Sequence, residues 1–168
     1  MSKEQTALQI AVGEYLGLIG DPVATLTEAA AADPEFILGH ATIAALNCLG
    51  GATGDSEPVQ TALNAANALA GKASPHERLH VSAANAWAQG DIEGAASFWE
   101  VALEAEPTDI LALRLAHDTH FFLGDSKKLR DVPLSVLPAY AQGSLERGFV
   151  LGMAAFGLGE MGEYAAAE

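Results

Sequence analysis

His76 and His80 lie four residues apart and His117 and His120 three apart, spacings that set two imidazoles on one helix face, where they could ligate a metal or relay a proton. A metal centre needs a third ligand, and none accompanies either pair. Residues 76–80, HERLH, match the letters of H-E-x-x-H, but Cys48 is the only cysteine and no dense carboxylate set lies beside the histidines. His117 and His120 fall at repeat positions 8 and 11, which pack against the neighbouring helix, and neither metal nor cofactor is predicted. Nucleophilic chemistry has less support: G-x-S-x-G is absent, Ser82 and Ser97 have no evident base, and no catalytic residue is assigned. The loop GGATGD over 50–55 lacks the Lys and Ser/Thr that end a phosphate-binding loop.

A different set has better spacing for recognition. Arg114 and Asp118 stand at i,i+4, and Trp87, Phe121 and Phe122 supply aromatic surface nearby in sequence. Whether these residues share a face depends on the elements that carry them. Apolar residues recur at three and four, strand formers are never clustered in alternation, and the chain reads as all-α. Gly-Asp pairs occur at 20–21, 54–55, 90–91 and 124–125, with Gly162-Glu163 near the end, at spacings of 34, 36, 34 and 38 residues. A glycine can close one helix in a left-handed conformation and the following aspartate can cap the next, which predicts about five helical hairpins, the last incomplete.

The best-formed hairpin starts at His76. Counting from there, small residues fall at positions 8 and 11 (Ala83, Ala86), a turn glycine at 15 (Gly90), Ala95 and Ala102 at 20 and 27, Trp99 at 24 and Pro107 at 32. This is the tetratricopeptide pattern, and it predicts a right-handed superhelix forming one domain over 1–168. The first hairpin pairs Glu4–Ile19 with Pro22–Ala32. The second begins at Pro34; its Gly-rich loop reads as mobile, its turn can be counted from Gly50 or Gly54, and its second helix runs over about 57–70. In the fourth, Pro133 limits the second helix to Ser126–Asp131 and leaves an irregular stretch through Pro138. The fifth opens near Ala139 and reaches Glu168.

In such arrays positions 2, 5, 9, 12 and 13 of each first helix line a concave face. Counting back from the turn glycines places His80, Ala84, Trp87 and Ala88 there, then Leu111, Arg114, Asp118, Phe121 and Phe122; counting from Gly50 adds His40. Two functions fit. The leading one is a non-enzymatic scaffold that binds a protein segment or assembles a complex through a groove of His40, His80, Trp87, Arg114, Asp118 and Phe121. The alternative is a small-molecule or hydrolytic pocket around His40, His80, Arg114 and Asp118. The plainer structural reading lets Arg114 and Asp118 neutralise each other and makes the aromatic residues core.

The formal charge is -14, with 8 Lys and Arg against 22 Asp and Glu, which disfavours nucleic acid and anionic membrane surfaces as partners. Cys48 lies in an apolar run and reads as a buried thiol in a reducing compartment. The N-terminal stretch carries Glu and Gln where a signal peptide would be apolar, and the run Phe149 to Leu158 is too short to span a bilayer. A cytoplasmic protein is expected.

The segments ADPEFILGHA, RLHVSAANAWAQGD, FWEVALEAEPTDILALRLAHDTHFFLGD and AAFGLGEMGEYAAAE resemble the N-terminal half of the tetratricopeptide repeat protein 38 family. The resemblance covers most of the chain after Asp33, departs from the family pattern at His120 and after Arg130, and carries no catalytic residue with it. It implies further hairpins, so the chain reads as a fragment or shortened version. The fifth hairpin's first helix would then leave apolar side chains uncovered, which predicts a homo-oligomer with Phe149, Met153 and Phe156 at the interface.

Overall fold

A computed structural model describes residues 3–167. Among the described residues there are ten α-helices, one 3-10 turn and no strand. The helices are α1 (Lys3–Gly17), α2 (Pro22–Ala32), α3 (Ile37–Leu49), α4 (Glu57–Ala68), α5 (Pro75–Ala88), α6 (Ile92–Ala105), α7 (Ile110–Leu123), α8 (Ser126–Val136), α9 (Leu145–Glu160) and α10 (Tyr164–Ala167); the 3-10 turn covers Leu137–Ala139. Neighbours in sequence pack as pairs, which bears out the all-helical hairpin plan. Glu168, where the fifth hairpin was expected to stop, lies outside the described residues.

Side-chain caps set most helix starts. Asp21 accepts from the Ala24 amide at 3.0 Å with Pro22 at the first helical position, Asp91 from Gly94 at 2.9 Å, Asp109 from Ala112 at 2.9 Å, and Asp125 from Lys128 at 3.0 Å. Ser74 and Glu77 form a capping box at α5. The exception is Asp55. It accepts the Thr53 hydroxyl at 2.6 Å, while α4 starts after Ser56 with no side-chain cap.

That exception decides the register of the second hairpin. The first helices close on left-handed glycines at Gly51 (φ 94°), Gly90 (φ 83°), Gly124 (φ 69°) and Gly162 (φ 75°), and in each case the next amide reaches back five residues: Ala52 to Asn47, Asp91 to Ala86, Asp125 to His120, Glu163 to Leu158. The turn of α3 therefore counts from Gly51, not from Gly50 or Gly54. Ala41, not His40, stands ten residues before its glycine as His80 and Arg114 stand before theirs. The loop after α3 is pinned rather than free. Gly54 lies so close to α5 that an added Cβ would meet the Ala88 carbonyl oxygen at 1.8 Å, and Gln60 Nε2 donates to the Gly54 carbonyl at 2.7 Å.

The chain packs as two compact units that divide between Phe98 and Trp99, within α6. In the first unit α3 packs against α2, α4 and α5, and Ile37, Ala41, Ala66, Ala73 and Val81 form one buried cluster. In the second unit α9 packs against α8 and α7, with Leu113, Leu115, Leu129 and Val150 buried. α8 runs on to Val136, past the end expected at Asp131. Pro133 removes the N–H that would bond the Leu129 carbonyl, yet Leu129, Val132, Pro133 and Val136 are all buried, and that packing holds the helix through the missing bond. Gly157 of α9 makes the contact possible: a Cβ there would stand 2.3 Å from the Leu129 carbonyl carbon and 2.4 Å from its oxygen.

Candidate functional site

In the second unit the outward stripe of α7 carries Arg114, Asp118, Phe121 and Phe122, positions i, i+4, i+7 and i+8 of one helix face. The inward residues Leu113, Leu115, Ala116, His117, Thr119 and His120 are buried, so the helix is oriented by its apolar side. Arg114 Nε lies 3.1 Å from Asp118 Oδ2. This half-buried i,i+4 pair neutralises both charges, as the plainer sequence reading anticipated.

Beyond the ion pair the face is aromatic and open. Phe121 is 56% exposed, Phe122 58% and Phe156 of α9 42%. The Phe121 ring stands 6.1 Å from Phe122 and 6.0 Å from Phe156, tilted or edge-on in both cases, so the three rings form one cluster spanning two helices. Along α9 the cluster continues into backbone, because Gly148, Gly152 and Gly159 share the Phe156 side of the helix and a Cβ at any of them would meet nothing within 4 Å.

Two buried histidines lie beneath. His117 Nε2 donates to the Met153 carbonyl at 3.3 Å and its ring packs edge-on against Phe156 at 5.8 Å, tying α7 to α9. Burial, reinforced by the Arg114 guanidinium, pushes its pKa down to about 4. His120 Nε2 donates to Glu100 Oε1 at 2.9 Å, and Lys128 Nζ donates to the other oxygen of the same carboxylate. Glu100 is held below its usual range, chiefly by the His120 bond. The two Nε2 atoms thus serve different partners and do not converge. They work as struts between helices.

The first-unit residues of the expected groove are used differently. His40 is half-buried and its Nε2 donates to the Pro34 carbonyl at 3.1 Å, fastening the start of its own helix. His80 is only 2% exposed and packs edge-on against His76, ring centroids 5.1 Å apart. Trp87 is half-buried, Ala84 is buried, and Ala88 receives Gly54.

Of the residues expected at an oligomer interface, Phe156 alone is exposed. Met153, 5% exposed, points inward with Val150, Ala154, Gly157 and Leu158, because this is the stripe that α9 buries; Phe149 is half-buried. Sequence reasoning placed Phe156 at an interface but not on the face of α7. The signal was present: Phe156 stands six residues before Gly162, as Asp118 stands six before Gly124. Three clustered rings beside bare helix backbone offer apolar burial and close approach, with no nucleophile among them. No family model matches the chain, and no solved structure matches it.

Proposed function

We propose that the chain is a tetratricopeptide-like helical-repeat scaffold, of the kind suggested by its resemblance to the tetratricopeptide repeat protein 38 family, and that it binds a protein segment on the outward face of α7 and α9. The observation that carries this reading is the exposed cluster of Phe121, Phe122 and Phe156. Single exposed apolar residues are ordinary, but contiguous ones rimmed by polar groups mark contact surfaces. The rings are about half covered already, so burying the rest of each would contribute roughly 0.7 to 1.5 kcal/mol before the costs of association, and three together can anchor a segment.

The alternative pocket around His40, His80, Arg114 and Asp118 has weaker support, since Arg114 and Asp118 pair with each other and His40 is bonded to its own chain. No described helix is long and apolar enough to cross a membrane, and buried Cys48 suits a reducing cytoplasm. Selection of a displayed peptide library on the wild-type protein, with counter-selection on Phe121→Ser/Phe156→Ser, tests the reading. Peptides that bind the wild type and lose at least tenfold on the double variant are expected. Failure to enrich any such peptide rejects it.

A further inference from the structure

We propose that the α7 and α9 face takes a basic amphipathic helix from another protein, with the apolar stripe of that helix on Phe121, Phe122 and Phe156 and its Lys or Arg side chains over the acidic surface around them. The inference rests on the scaffold reading and adds the chemistry of the occupant. Charge decides the partner. The chain carries 22 carboxylates against 8 Lys and Arg, and most of those cations are already engaged internally: Lys72 with Glu35, Arg78 with the Ala73 carbonyl, Arg114 with Asp118, Lys128 with Glu100, Arg130 with Asp131 and Glu163, and Arg147 with the carbonyls of Leu137 and Tyr140. Arg78 and Arg147, held by carbonyls, keep their charge, but 22 carboxylates against 8 cations still leave the surface net negative. Glu160 stands one turn beyond Phe156 on the same side of α9 and is exposed, as is Glu146 in the first turn of that helix. A second copy of this chain would bring another formal charge of -14 to the face and be repelled, whereas a cationic segment would be drawn to it.

Shape decides the secondary structure of the partner. Gly148, Gly152 and Gly159 leave the backbone of α9 uncovered for about 16 Å at 1.5 Å per residue, three turns, and nothing stands where their side chains would be. A helix laid there can approach closely, bringing its apolar stripe against the rings at one edge. An extended strand would find no sheet edge to pair with among the described residues.

The test uses two fluorescent 18-residue peptides with one leucine stripe at helical spacing, one carrying Lys and the other Glu on the polar face. Fluorescence anisotropy should show the Lys peptide binding at least tenfold tighter than the Glu peptide. Phe121→Ser/Phe156→Ser should weaken it at least tenfold, and Phe98→Ser, an exposed aromatic of the first unit, should leave it unchanged. Gly152→Leu fills open space, so circular dichroism should be unaltered while Lys-peptide binding falls at least tenfold. Equal affinity for both peptides, still lost in the double variant, would overturn the basic partner and leave the scaffold reading standing. Lys-peptide binding that ignores both the rings and Gly152 would be diffuse charge attraction and would overturn the proposal, as would binding of neither peptide. A dimer in sedimentation that Phe156→Ser abolishes and that excludes the peptide would show a second copy to be the occupant instead.

Discussion

α5 and α7 are both first helices of hairpins and both end on left-handed glycines, Gly90 and Gly124, so their residues correspond one to one. Ten residues before the glycine stand His80 and Arg114, six before stand Ala84 and Asp118, and two before stand Ala88 and Phe122. The fates differ. His80 and Ala84 are buried, and Ala88 is met by the loop at Gly54; Phe121 and Phe122 stand in the open. The repeat register makes positions equivalent without making surfaces equivalent. Side-chain size and the loops that cover a helix decide whether the same stripe is core or contact surface.

The largest expected effect removes the support under the open face. Gly157→Ala places a methyl group against the α8 backbone and should destabilise by about 3 kcal/mol, because backbone cannot move aside as a side chain can. Gly152→Ala on the same helix meets nothing and should stabilise by roughly 0.5 to 1 kcal/mol through helix propensity. Urea midpoints of the two variants should move in opposite directions, and equal midpoints would remove the α8–α9 contact described above. Next, His80→Ala and Phe121→Ser address the comparison directly. Losing a buried imidazole should cost about 2 kcal/mol, while truncating the exposed ring should change stability by less than about 0.5 kcal/mol. Comparable losses in thermal unfolding would mean that the α7 face is core.

A pH effect of similar size is expected from the strut below the rings. The folded pKa of His117 is about 4 against an ordinary 6.5, so as pH falls below 6.5 the unfolded chain takes up a proton that the folded chain refuses. Stability present at pH 7 should fall by about 2 kcal/mol at pH 5. Arg114 and His120 act on the same imidazole, and Glu100, whose pKa is lowered, loses its contribution only below its ordinary 4.5. Denaturation at pH 7 and pH 5 checks this, and His117→Leu should flatten the difference. The smallest effect is Asp118→Ala, expected to cost about 0.5 kcal/mol as a partly exposed i,i+4 pair. A loss above about 2 kcal/mol in calorimetry would show that the ion pair organises the face instead of merely neutralising it.

Much of the helical plan was legible because its signals are local. Asp21, Asp91 and Asp125 cap helices within three residues of themselves, Gly90 and Gly124 adopt the conformation that glycine permits, and Arg114 reaches Asp118 across one turn. Where the local signal misled, a distant partner was responsible. Pro133 reads as a helix end, but burial of the segment and the bare backbone of Gly157, 24 residues later, hold α8 together. The Gly50–Asp55 loop reads as free, but α5 receives it at Gly54.

The candidate site divides in the same way. By itself the sequence determined that Arg114, Asp118, Phe121 and Phe122 share one stripe, since 3.6 residues per turn leaves no other arrangement within a helix. Only the tertiary structure decided that Phe121 and Phe122 on this stripe are exposed, that Phe156 joins them, and that Met153 three residues earlier turns inward to be buried. Helical periodicity fixes angles around one axis. Which angle faces protein and which faces water depends on where the next helix lies, and that is a property of packing between segments far apart in the chain.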